Sequence, residues 1–145
     1  MAAWNAGSER EGLEMKLSLS WIVGLGAECK GGRTKDASWG DIELHLREVC
    51  ETSGSVTLEI VDFNGFELLS LQVVADDGMY AMTLGEDNGE DYIVRSYLRG
   101  SNSGAVVDIL GDAVDASGVC TDFEVVVDIF RQFFEEGRVS RSLMA

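Results

Sequence analysis

The chain has 145 residues, 46% of them hydrophobic, and 26 acids against 11 bases give a formal net charge of −15. That size and apolar content describe one domain with a real core and exclude a disordered chain. The charge argues against binding nucleic acid or an anionic membrane and favours a basic partner, steered in at salt-dependent rates; acidity that serves solubility alone is the plainer alternative.

No apolar run reaches the ~20 residues of a membrane span, so no membrane association is expected. Three widely spaced cysteines, Cys29, Cys50 and Cys120, form no CxxC pair. They suit a reducing cytoplasm better than a disulfide framework or a zinc site.

Residues 1–14 are polar without periodicity and are expected to form a flexible extension ahead of a single domain over 15–145, with Met1 or Met15 as the natural start. From Met15 onward, MKLSLSWIVGLGAEC has the outline of a short secretory signal. Its apolar run is short, and Glu28 stands where a small residue should precede Cys29, so no signal is expected. Leu17–Val23 reads as a strand, with Leu17, Leu19 and Trp21 alternating against Ser18 and Ser20. The Gly-rich GLGAECKGGRTKD carries Lys30, Arg33 and Lys35 but neither the phosphate-loop order GxxxxGK[ST] nor a GxGxxG opening a helix; a surface loop is expected. Ser38 and Asp41 fit a capping box. Trp39, Ile42, Leu46 and Val49 then recur at helical spacing, which predicts an amphipathic helix over 39–51. The lone histidine, His45, sits on it without a second His or a Cys on the same face, as a partly exposed helix residue rather than a ligand or base.

Ser55 to Tyr97 reads as four successive strands. Val56, Leu58 and Ile60 alternate with polar residues, and Asn64-Gly65, Asp77-Gly78 and Asn88-Gly89 supply the dipeptides of tight hairpin turns. An antiparallel meander accounts for three such turns; helices do not. Between Arg47 and Arg95 there is no Lys or Arg, while eleven acids fall in the interval, so the scaffold is also the most negative part of the chain. Arg99 to Gly104 reads as a loop and Val106–Leu110 as a short apolar strand, followed by GDAVDASGVCTD. Thr121 and Glu124 fit a second capping box, starting a helix with Phe123, Val126, Val127, Phe130, Phe133 and Phe134 on one broad face and Gly137 as a left-handed cap.

Carboxylates are abundant, so paired acids for hydrolysis or a hard cation have to be weighed. Asp87-Asn88-Gly89-Glu90-Asp91 lacks the spacing of a calcium loop, and a hairpin turn explains it better. Asp108, Asp112 and Asp115 have no accompanying histidine. No GxSxG elbow is present, and His45 has no recognisable triad partners. Cys120 precedes a helix N-terminus, where a dipole favours a thiolate, but reads more simply as a hydrophobic staple toward Val125.

The stretches LQVVADDGMYAMTLGEDNGEDYIVRSY and VDILGDAVDASGVCTDFEVVVDIFRQFFEEGRVSRSLM resemble small bacterial immunity proteins of polymorphic-toxin and type VI or contact-dependent secretion systems. One group of these has a meandering sheet followed by a late helix ending in an aromatic-aromatic-x-x-Gly pattern, here Phe133-Phe134-Glu135-Glu136-Gly137. The resemblance covers residues 38–143. It implies a cytoplasmic antitoxin, not an enzyme, that needs no cofactor or metal and binds one cognate protein toxin with a basic surface.

The expected fold is therefore α+β: an antiparallel meander sheet of about six strands with two main helices, near 38–52 and 121–136, packed against it. The expected partner-binding residues are Asp76, Asp77, Glu86, Asp87, Glu90 and Asp91 on the hairpin turns, with Asp108, Asp112 and Asp115 as a second patch. Tyr80, Tyr92 and Tyr97 are candidate aromatic anchors. The alternatives from other classes are a small carboxylate- or metal-dependent hydrolase built on the same acids, and an adaptor or chaperone for a secreted effector.

Overall fold

The structure is a computed structural model and describes residues 15–24, 29–62, 68–87, 90–98 and 104–144. The expected extension over 1–14, the Asn64-Gly65 and Asn88-Gly89 turns and most of the 99–104 loop lie outside the described residues. In chain order the elements are β1 (Met15–Val23), β2 (Lys30–Lys35), α1 (Trp39–Cys50), β3 (Ser53–Asp62), β4 (Leu68–Asp76) and β5 (Met79–Asp87). They continue with β6 (Tyr92–Ser96), β7 (Val106–Ile109), β8 (Asp112–Asp115), a 3-10 turn (Ala116–Gly118) and α2 (Phe123–Glu136).

Strands β1 to β6 form one antiparallel sheet in the order β2-β1-β3-β4-β5-β6, and β7 pairs with β8 as a separate hairpin. The α+β meander expected from the sequence is the fold observed. Two memberships differ. The sixth strand of the sheet is β2, cut from the Gly-rich segment read as a loop, because β1 offers it a free edge and register from Ser18↔Lys35 to Val23↔Lys30. Val106–Ile109 folds back on Asp112–Asp115 instead of joining the sheet.

Period-two alternation gives the sheet two unlike faces. On one, Leu19, Leu58, Leu71 and Leu84 stand opposite one another across four strands, all essentially inaccessible to water. Both helices pack on this face. Ile42, Leu46 and Val49 of α1, with Val126, Ile129, Phe130 and Phe133 of α2, close the core over it. Burying a side chain of this size is worth about 1.5–3 kcal/mol, so the helices are held by this face rather than by propensity.

Local signals set where the helices begin and end. The Ser38–Asp41 capping box forms in both directions. α2 starts one residue later than the second box implied: Asp122, not Thr121, is the cap, accepting from the Glu124 N–H. Gly137 ends α2 at φ 71° with its N–H on the Phe133 carbonyl. Cys120 is consequently two residues ahead of the cap, outside staple position. Its backbone pairs with Tyr80 in both directions, filling the edge of β5 beyond the reach of the shorter β6.

Candidate interaction surface

The nine expected contact acids fall into two groups and one structural position. Asp77 and Gly78 close the β4–β5 hairpin with both residues at positive φ, 51° and 77°. Leu110 and Gly111 close the β7–β8 hairpin in the same way, at 51° and 90°. The two tips meet. The Leu110 N–H donates to Asp76 Oδ2 at 3.4 Å, and Asp76 also accepts from Ser53 Oγ at 3.3 Å. Asp76 is half-buried and joins the hairpins, while Asp77, Asp108 and Asp112 stand exposed around the junction. Among the described residues none of these three is in an ion pair.

Glu86, Asp87, Glu90 and Asp91 lie at the other end of β5. The eight steps from Met79 to Asp87 separate the ends of the strand by about 26 Å at ~3.3 Å per residue. Glu86 is 3.8 Å from Arg95. Asp115 belongs to neither group: its carboxylate accepts from the Ser117 hydroxyl, the Ser117 N–H at 2.9 Å and the Gly104 N–H at 3.1 Å, capping the 3-10 turn.

Of the tyrosines, Tyr80 is buried, with burial pushing its phenol pKa up, and Tyr97 packs against the core. Tyr92 alone of the three is exposed, its hydroxyl lying over Gly85, where a Cβ would collide with it. His45 is stacked on Trp21 at 3.6 Å between ring centroids and reaches Glu48 at 3.2 Å, a packing role on α1. Cys120 is buried and its thiol contacts the Asp122 carbonyl at 3.3 Å, so the chemistry there is local support of the helix start. A cavity of about 150 Å³ beside it is lined by Arg47, Cys50, Glu51, Tyr80 and Phe123 and takes in none of the nine acids.

The face of the sheet opposite the helices was not singled out in the sequence. Arg33, Ser20, Thr57, Gln72, Thr83 and Ser96 form one row across all six strands, with Gln72 donating to Thr57 at 3.2 Å. Beside it run Lys35, Ser18, Glu59, Ser70, Gly85 and Val94. Short hydroxyl side chains at every second strand position were the signal. They make a polar band whose basic end is β2, flanked on the same face by Ile22, Val74 and Ala81 on one side and Val61 and Leu68 on the other, with a depression of about 320 Å³ between Ser20, Ile22, Gly31, Ser55, Thr57 and Gln72.

A family model described as "Family of unknown function (DUF6911)" matches residues 20–143. The chain belongs to this family, DUF6911. The matched span runs from within β1 to the C-terminal segment, so both acidic groups and both sheet faces lie within DUF6911. The DUF6911 chain is also similar to a crystal structure of a hypothetical protein from Neisseria gonorrhoeae, with a TM-score of 0.70 and 15% identity over 82% of this chain and 86% of that one. At that identity the likeness is one of fold. No curated protein matches the chain.

Proposed function

We propose that this DUF6911 protein is an immunity protein, a cytoplasmic inhibitor that binds a basic protein toxin and acts by occupying it rather than by catalysis. The observation that carries the reading is the joined hairpin tip. Two turns more than thirty residues apart are tied by the Leu110–Asp76 hydrogen bond, and three exposed acids, Asp77, Asp108 and Asp112, lie within two residues of that junction, the last two on opposite faces of the β7–β8 hairpin. Acids arranged for hydrolysis converge on a cleft; these point outward. A net charge of −15 extends their field over the whole molecule and complements the basic cleft of a toxin that acts on nucleic acid or nucleotides.

Exposed charge pairs each contribute about 0.2–1 kcal/mol, so the tip sets encounter rate and orientation more than affinity. The test is capture of the partner from the native host at low salt, followed by expression of its C-terminal domain in a bacterial host. Co-expression of this protein is expected to relieve toxicity, and the triple reversal Asp77→Lys, Asp108→Lys and Asp112→Lys to slow association about tenfold or more and weaken its salt dependence. Full protection by the triple variant at unchanged association rate, or no stoichiometric basic partner at any salt concentration, overturns the reading.

A further inference from the structure

The two edges of the sheet are built differently. β2, at one edge, carries Lys30, Arg33 and Lys35 and two glycines, the charged and poorly pairing composition that keeps an edge from recruiting another strand. β6, at the other edge, reads Tyr-Ile-Val-Arg-Ser without lysine or proline. Tyr92, Ile93 and Val94 are 65%, 51% and 54% exposed, three consecutive apolar residues on an edge strand. The one charge in β6, Arg95, is turned inward and buried.

The ladder shows which backbone groups face out. The Tyr97 N–H donates to the Met82 carbonyl. Alternation along an antiparallel pair then aims the N–H and C=O of Arg95 and Ile93 at β5, and those of Val94 and Tyr92 at the open side. Apolar side chains on both faces of the strand, with outward donors and acceptors between them, are what an added strand pairs with.

We infer that β6 is a docking edge for an extended, basic segment of a partner protein, which adds to the sheet as a seventh strand. This rests on the reading of a basic protein partner above and names how that partner is held. Charge selects the occupant. Glu86 and Asp87 across the ladder and Glu90 and Asp91 just ahead of the strand place acids at this edge of a chain whose net charge is −15. A second copy of this chain would bring the same acids and another −15 charges to the same edge, so a Lys- or Arg-bearing strand is favoured over self-pairing. Apolar residues of that strand would pack beside Tyr92 and Val94 on one face and Ile93 on the other, supplying the affinity the hairpin tip does not.

The test uses two synthetic peptides, one alternating valine with lysine and one alternating valine with glutamate, added to the isotope-labelled full chain. The lysine peptide is expected to slow hydrogen exchange of the Tyr92 and Val94 amides about tenfold or more, and the glutamate peptide to leave them unchanged. Val94→Pro removes an outward donor without taking a hydrogen bond from β5, and is expected to abolish the protection while circular dichroism and melting stay close to wild type. Absence of protection at Tyr92 and Val94, or equal protection by both peptides, overturns the proposal. A concentration-dependent dimer of the protein alone that Val94→Pro dissolves also overturns it, by making the occupant a second copy. The two readings fail separately: Val94→Pro that still captures and neutralises the natural partner removes the edge and keeps the inhibitor, whereas peptide binding without any toxin partner keeps the edge and removes the inhibitor.

Discussion

Arg95 Nη2 lies 2.7 Å from the carbonyl oxygen of Met144. The same nitrogen is 2.8 Å from the Val139 carbonyl, and Nε adds a bond to Met144 at 3.2 Å. Arg95 stands opposite Leu84, at the end of the row Leu19-Leu58-Leu71-Leu84, so a guanidinium occupies the place where the leucine row reaches the sheet edge. It is 6% exposed, and it is the buried charged side chain among the described residues. Among the described residues the segment after α2 has no helix or strand of its own beyond the Tyr97–Met144 bridge, and the arginine fork satisfies the carbonyls of Val139 and Met144 that burial takes from water.

Replacing Arg95 by methionine keeps the volume and leaves those carbonyls without donors. A loss of about 3 kcal/mol is expected in urea or guanidinium unfolding, with Arg95→Lys recovering little because an ammonium lacks the planar fork. A loss below about 1 kcal/mol for Arg95→Met would show that the C-terminal segment docks without this contact.

Gly54 opens β3 at φ 142°, and a Cβ there would run into the Ile22 carbonyl of β1. Gly78 in the β4–β5 turn also has positive φ, but the space around its Cβ position is empty. Gly78→Ala is expected to cost about 1 kcal/mol from backbone conformation alone, and Gly54→Ala clearly more, through separation of β1 and β3. Equal losses from chemical denaturation would contradict the close approach at Gly54.

Thiol accessibility separates the three cysteines. Cys29 is exposed, while Cys50 and Cys120 are buried, and burial pushes the Cys50 thiol pKa up to about 12. At pH 8 a disulfide reagent is expected to titrate one thiol at once in the native protein and three in denaturant. Two fast native thiols would mean that α1 and the Cys120 segment open readily.

The Asp41 carboxyl is held below its ordinary range, first by the Ser38 N–H and then by the Ser38 hydroxyl. A lowered folded pKa favours the ionised form in the native state. The stabilisation is therefore present above the ordinary aspartate range and is lost as pH falls through the lowered folded value. Carbon-detected NMR titration should place Asp41 below an ordinary aspartate, and Ser38→Ala should raise it only part of the way back, because the amide donor remains. A titration of Asp41 that does not respond to Ser38→Ala, or one above the ordinary range, would contradict the capping box.

What could be read in the chain follows from how local each cause is. Asp77-Gly78 marks its hairpin because both residues tolerate positive φ, and the β7–β8 hairpin escaped notice because its turn is Leu110-Gly111, with a leucine where sequence statistics place Asn or Asp. Lys30–Lys35 reads as loop because Gly and Lys are poor strand formers, yet it is a strand, since the free edge of β1 supplies the hydrogen bonds that propensity does not. The acids were all visible, but their grouping was not. Asp76 and Asp77 stand with Asp108 and Asp112, while Glu86 to Asp91, nearer in sequence, lie at the far end of a strand.

By itself the sequence determined the meander, the two amphipathic helices, the Ser38–Asp41 capping box and the Gly137 cap, because alternation, helical periodicity and capping are each satisfied within a few residues. The tertiary structure alone decided which strand became the sixth, where Arg95 was buried, which hairpins met and which edge was left apolar and exposed. Those outcomes depend on contacts between segments tens of residues apart, where sheet register and the competition for buried surface, rather than local preference, select the arrangement.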